Sequence, residues 1–283
     1  MYPKPPAPFL IPLIHDLSIN PPIAALCAGY ESGTWRGKAF ADHVMEWLPE
    51  FSLSAEELRS FTPGTAVRLI KKAARLVYQT PKYHKRGEFG EIFLHIALRQ
   101  IYDSVPAISK IYWKDSVNST VKGFDAVHVI ARGETLELWL GEVKFYKDGK
   151  KAIADVAAEL IDHTKIDYLR NEFMLITNKL DSVSPHFDTL SRLLDPNTSL
   201  DSVFASACIP ILITYESDAV RGSNKHDESY KSKIIAEVDE LQEKFSKNVP
   251  LGSLPIKLHL FILPLHTKAV LVRALDDLLK EWQ

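Results

Sequence analysis

The sequence predicts an α/β fold, a mixed central sheet flanked by helices. Three observations carry that expectation. In the middle of the chain the apolar periodicity runs helix, strand, strand, strand, helix, strand. Apolar residues make up 46% and charged residues 25%, the balance of a globular chain with a real core. A length of 283 residues suits one large domain or two small ones.

The elements follow in order. Residues 1–22 hold seven of the 17 prolines, at Pro3, Pro5, Pro6, Pro8, Pro12, Pro21 and Pro22. Such a stretch is not helical and is expected to run extended over the surface. Phe9, Leu10, Ile11, Leu13 and Ile14 give it apolar residues to dock with. Residues 23–80 read as helices, so residues 1–80 form a Pro-rich segment and a helical region. Phe40, Val44 and Trp47 recur at helical spacing. Ser54-Ala-Glu-Glu57 is a capping box. Residues 64–79 make the cleanest helix, with Val67, Ile70, Ala74 and Val77 as its apolar stripe. A further helix covers residues 87–100. Strands are expected at 107–113, 121–130 and 135–146, the last two joined as a hairpin at Arg132-Gly133. A helix returns at 151–169. Short buried strands are expected at 173–177 and 210–215, then a helix at 230–245, a strand at 256–263 and a final helix at 271–282. Residues 81–283 thus carry the sheet, with helical and strand additions at the C-terminal end.

Composition narrows the function. Lys plus Arg is 34 and Asp plus Glu is 36, a formal net charge of −2. That excludes a generally basic nucleic-acid-coating protein but not a local basic patch. No apolar run reaches the ~18–20 residues of a membrane span. The run Phe9-Leu-Ile-Pro-Leu-Ile14 is too short and too Pro-laced for a signal-peptide core. Cys27 and Cys208 fit no metal or redox spacing. The expected location is cytoplasmic, with two ordinary buried thiols.

The chemistry concentrates in Gly123-Phe-Asp125 and Gly141-Glu-Val-Lys144, with sixteen residues between Asp125 and Glu142. Strand alternation puts Glu142 and Lys144 on one face, and Trp139, Val143 and Phe145 on the other. A hairpin would set Asp125 beside Glu142. Two converging carboxylates repel each other unless a cation joins them. Hard oxygen ligands suit Mg²⁺ or Mn²⁺. On the helix before, Glu88, Glu91, His95 and Arg99 share a face, a candidate wall of the site. His95 reads as a helix-surface histidine bonded to Glu91. Glu88 suits the positive helix N-terminus.

These residues resemble the PD-(D/E)XK nuclease superfamily, whose pattern would fall on Glu91, Asp125, Glu142 and Lys144. The resemblance implies a restriction-endonuclease-like core and metal-dependent phosphodiester hydrolysis. Asp125, Glu142, Glu91 and the Val143 carbonyl would hold Mg²⁺, with Mn²⁺ as a substitute, and Lys144 would orient the attacking water. The helix after the sheet carries Asp155, Glu159, His163 and Lys165, without the Gln that some branches place there. More narrowly, the chain resembles the HamA family of nuclease subunits in Hachiman antiphage systems. Arg86-Gly-Glu-Phe-Gly-Glu-Ile92, Lys122-Gly-Phe-Asp125 and Leu138-Trp-Leu-Gly-Glu-Val-Lys-Phe-Tyr146 carry that resemblance. It implies a DNase with a helicase partner, HamB. The chain holds no Gly-x4-Gly-Lys-Ser/Thr loop of its own.

Residues 59–87 hold eight basic residues and no acidic one. Arg68, Lys71, Lys72 and Arg75 share a helix face, and Lys82, Lys85 and Arg86 lead into the next helix. Such a run suits sequence-independent DNA binding, a partner, or plain solvation. Two alternatives stand beside the antiphage DNase: a stand-alone restriction or repair endonuclease, and an inactive nuclease-fold adaptor for DNA or a helicase.

Overall fold

Seven strands form one mixed sheet in the order β1-β2-β9-β8-β7-β6-β5, in a computed structural model that describes residues 4–78, 87–108, 123–133, 135–180, 186–254 and 256–283. The strands are β1 (Ile11–Asp16), β2 (Ile23–Cys27), β5 (Val105–Ile108), β6 (Ala126–Arg132), β7 (Thr135–Phe145), β8 (Ala207–Glu216) and β9 (Lys257–Leu265). A two-stranded ribbon, β3 (Tyr30–Glu31) and β4 (Thr34–Trp35), stands apart. Strands β2, β9, β8 and β7 are parallel; β1 pairs antiparallel with β2 at one end, and at the other β6 pairs antiparallel with both β7 and β5. The expected hairpin is there: Arg132 pairs with Thr135 around Gly133, which adopts φ +62°.

Alternation along the strands divides the interior into two layers. Leu138 and Leu140 of β7 and Ile209, Ile211 and Ile213 of β8 face one core. There they meet α5 (Gly149–His163), α6 (Ile166–Lys179) and α10 (Glu228–Asn248) through Val156, Leu160, Phe173, Val238 and Phe245. Trp139 and Phe145 of β7 and Leu212 of β8 face the other core. It is covered by α1 (Gly37–Ser52), α3 (Ala66–Val77), α4 (Glu88–Tyr102) and α11 (Lys268–Glu281). Short helices α2 (Ala55–Arg59), α7 (Phe187–Leu193), α8 (Leu200–Ala205) and α9 (Asp218–Arg221) complete the connections. The capping box at the start of α2 is formed as expected, Ser54 accepting from the Glu57 amide and Glu57 from the Ser54 amide. Among the described residues no helix is long and apolar enough to cross a membrane.

Four expectations are corrected. Residues 23–35 are strands, not helix. Ile23-Ala-Ala-Leu-Cys27 is buried at every position, as suits a parallel strand covered on both faces, and so lacks the alternation that marks a half-exposed one. The Pro-rich segment does more than lie on the surface, because β1 closes the sheet as an edge strand. An edge position tolerates Pro12. Residues 173–177 belong to α6, whose buried residues Leu169, Phe173 and Ile176 follow the helical repeat while Met174 and Leu175 are exposed. The stripe of α3 is turned by part of a residue step. Leu69, Ala73, Ala74 and Val77 are buried and Val67 is exposed.

Gly90 fixes how α4 seats on β7. A Cβ there would lie 2.6 Å from Val143 Cγ1 and 2.9 Å from Phe145 Cβ. Gly90→Ala is expected to lower stability by roughly 1–3 kcal/mol through overpacking. Urea unfolding checks this, with a lower midpoint at an unchanged slope as the expected result.

Candidate active site

The cluster sits at the carboxyl end of β7, where β6 begins. Register pairs Ala126 with Gly141, and the Asp125 amide donates to the Gly141 carbonyl at 2.7 Å. One step further, Asp125 stands opposite Glu142 on the same face. The Val143 amide then lies beyond the β6 ladder, and it donates to Asp125 Oδ2 at 2.9 Å. The side chain thereby satisfies a backbone donor that the ladder would leave unpaired. Amide and carbonyl of one residue point toward the same neighbouring strand in an antiparallel pair, so the Val143 carbonyl shares the Asp125 side.

Glu142 and Lys144 are both buried, 3% and 6% exposed, so their charges must be compensated locally. Lys144 Nζ donates to Glu142 Oε1 at 2.8 Å and also to Glu159 Oε2 on α5. Glu142 Oε2 lies 3.2 Å from His163 Nδ1, off the line of a hydrogen bond, and is a buried oxygen with no hydrogen-bond partner. His163 is held flat against Tyr168, ring centroids 4.5 Å apart, with Phe124 edge-on at 5.5 Å.

Charge is unbalanced here. Asp125, Glu142 and Glu159 face one lysine and one histidine. Burial raises the Glu142 pKa, and Asp125 adds to this against the pull of His163 and Lys144. Burial would depress the Lys144 ammonium, but Glu142 and Glu159 outweigh it and hold its pKa above the ordinary value. Burial likewise opposes the His163 imidazolium, and Glu142 and Glu159 again prevail to raise its pKa. Both shifts follow from an excess of acids around few cations.

Such an excess, with a buried Glu142 oxygen approached only by the His163 ring and making no hydrogen bond, suits a hard divalent cation. The fitting donors are Asp125, Glu142 and the Val143 carbonyl, with water completing the set. Among the described residues no three His, Cys, Asp or Glu groups already stand together as a metal-binding set.

The other candidate residues fall as follows. Glu91, half-exposed in the first turn of α4, follows Gly90, which abuts Val143. It comes from the layer opposite to the Glu142 face. The expected wall of Glu88, Glu91, His95 and Arg99 does not hold together. His95 and Arg99 are buried, 2% and 6% exposed. Arg99 Nε meets Glu50 Oε1 of α1 at 2.6 Å, and His95 Nδ1 lies 3.2 Å from His128 Nε2 of β6. His95 is therefore not the surface partner of Glu91 that its position suggests, since the middle of α4 is buried between α1 and the sheet. Arg68, Lys71, Lys72 and Arg75 are exposed on α3, which packs on α1 and α11. Lys72 pairs with Glu57, and Lys71 and Arg75 approach the Gln283 carbonyl at 3.5 and 3.1 Å. Lys82, Lys85 and Arg86 lie outside the described residues.

Glu159 and His163 are the residues whose part in the cluster the sequence did not assign. Their signal was present: Asp155, Glu159 and His163 recur every four residues, flanking the apolar stripe of α5. The apolar groove beside α6, lined by Met174, Leu193 and Leu200, contains none of these groups.

A mixed seven-stranded sheet between two helical layers, with an acid-rich cluster at the carboxyl end of a central strand, defines an α/β protein with a polar site on its sheet. The chain belongs to the HamA family, whose model matches residues 9–279. This bears out the resemblance seen in the motifs. It is also similar to a protein of Escherichia coli (strain K12) described as anti-bacteriophage protein A, at 24% identity over 279 residues. That match covers 92% of this chain and 50% of the relative, so the chain spans about half the length of the curated relative it matches.

Proposed function

We propose that this chain is a metal-dependent deoxyribonuclease of the PD-(D/E)XK type, cutting DNA without sequence preference. It would serve antiphage defence together with a HamB-type helicase. The observation that carries the reading is the Asp125–Glu142–Lys144 cluster, three groups from paired strands in which acids outnumber cations. Membership of the HamA family and the description of the E. coli relative support the defence role.

Asp125, Glu142 and the Val143 carbonyl would hold Mg²⁺ or Mn²⁺, with Glu91 of α4 as the further candidate donor. When bound, the cation supplies Lewis-acid polarisation of the phosphodiester and a more acidic water. Lys144 acts as a charge rather than a base, because its neighbours keep it protonated. Its ammonium would neutralise charge developing on the phosphoryl oxygens. Glu159 holds that ammonium in place from α5. His163 limits the movement of Glu142, being wedged between Phe124 and Tyr168.

Closed-circular plasmid tests the reading. Wild type with Mg²⁺ is expected to nick or linearise it, and chelation by EDTA to stop the reaction. Asp125→Asn is expected to reduce the rate by at least about 100-fold. Cutting that persists in EDTA, or that Asp125→Asn leaves intact, overturns the proposed site. A wild type inert with both Mg²⁺ and Mn²⁺, yet binding DNA, points to the adaptor role.

A further inference from the structure

The acid-rich cluster repels a polyanion, so a strand brought to it needs cations close by. The basic face of α3 is partly occupied by Glu57 and the Gln283 carbonyl. A different cation stands at the end of β7. Lys268, the first residue of α11, donates to the Phe145 carbonyl and lies 4.0 Å over the Phe145 ring. Its backbone is fixed, because the Lys268 amide donates to Glu216 Oε1 at 2.9 Å. The ammonium is half-buried, yet no carboxylate of the described residues forms an ion pair with it. Burial pulls its pKa below the ordinary value and the charge of Lys147 pulls it further, against a weaker opposing pull from Glu216. The hydrogen bond and the ring contact of Lys268 are both made to Phe145, so neutral groups and not a counter-charge hold this half-buried cation, which leaves its charge available to an anionic ligand.

Position supplies the rest. Lys144 and Phe145 are consecutive on β7 and point to opposite faces. Lys144 therefore marks one side of the strand end and Lys268, over Phe145, the other. Lys147 follows two residues after Phe145 and is exposed. We propose that Lys268 and Lys147 form a phosphate subsite that grips the DNA backbone next to the phosphodiester at the Asp125–Glu142–Lys144 cluster. The assignment rests on the nuclease reading above, and it adds the residues that hold the strand.

Binding measured apart from cutting tests it. The probe is a fluorescein-labelled 20-base-pair DNA duplex, titrated with the full chain in EDTA at several salt concentrations. Lys268→Ala is expected to weaken binding about 10-fold, as for loss of a charged hydrogen bond. It should also reduce the slope of log K against log salt by about 0.9, one phosphate contact. Lys268→Arg should keep the wild-type slope. Lys247→Ala, on the exposed end of α10, should match wild type. A thermal melt of Lys268→Ala that overlays wild type excludes misfolding as the cause.

Unchanged affinity and slope in Lys268→Ala overturn the subsite, even where wild type cuts plasmid. If wild type binds the duplex with the Lys268-dependent slope but cuts nothing with Mg²⁺ or Mn²⁺, the subsite stands and the nuclease reading falls. If wild type neither binds nor cuts, both fall.

Discussion

Lys144→Ala is expected to slow plasmid cleavage by about 100- to 1000-fold, the usual cost of removing one group that stabilises transition-state charge. Glu142→Gln should lose at least as much, since under the proposed mechanism it removes a cation ligand together with the partner of Lys144. Each change also disturbs a buried network. Lys144→Ala leaves Glu142 and Glu159 without their shared cation, so a loss of stability is expected beside the loss of rate. Lys144→Arg separates the two effects. It keeps the charge but replaces a compact ammonium with a planar guanidinium. Near-wild-type melting with a rate still depressed at least about 10-fold assigns the ammonium a role in the reaction. Full activity in Lys144→Ala, with the fold intact by near-ultraviolet circular dichroism, removes Lys144 from the mechanism.

The cluster was readable because strand geometry is nearly one-dimensional. Alternation fixes which face Glu142 and Lys144 share, and the turn at Gly133 fixes the register that brings Asp125 opposite Glu142. Helix faces are less informative. Glu91, His95 and Arg99 share one face of α4, but the sequence does not say what covers it. The partner is Glu50, 49 residues before Arg99, and nothing local marks so distant a contact. Strand β2 escaped notice for a different reason. A short, Ala-rich run buried on both faces carries no periodicity, and its partner β9 lies more than 230 residues away. Apolar residues 173–177 gave the opposite error, since a short apolar run fits strand and helix equally until its neighbours are placed.

The buried Glu50–Arg99 pair should dominate mutational stability. Its side chains are only 7% and 4% exposed, with Arg99 Nε 2.6 Å from Glu50 Oε1. The same guanidinium donates to the Ser104 carbonyl at 2.5 Å. Around it, His128 is kept neutral by burial and by the nearby His95 and Arg99, and its Nδ1 lies 2.9 Å from Ser104 Oγ. Arg99→Met leaves the Glu50 carboxylate in the core with only His95 beside it, 3.3 Å away, at an expected cost of roughly 3–5 kcal/mol. For a chain of this size that is a fall in melting temperature on the order of 10 °C. Glu50→Gln combined with Arg99→Met removes both charges and should recover much of the loss. Stability should also depend on pH in a definite sense. Burial opposes ionisation of Glu50, but His95 and Arg99 outweigh it and lower its pKa from 4.5. A carboxylate with a depressed folded-state pKa stabilises the fold above its unfolded pKa and loses that contribution as pH falls through the folded value. Wild type should therefore lose stability below about pH 4.5, and part of that loss should vanish in the double variant. Urea midpoints measured at pH 7 and at pH 3.5–4 decide the matter. A single variant as stable as wild type at pH 7 would mean that water reaches Glu50, and the pair would not be the buried anchor of α1 on α4.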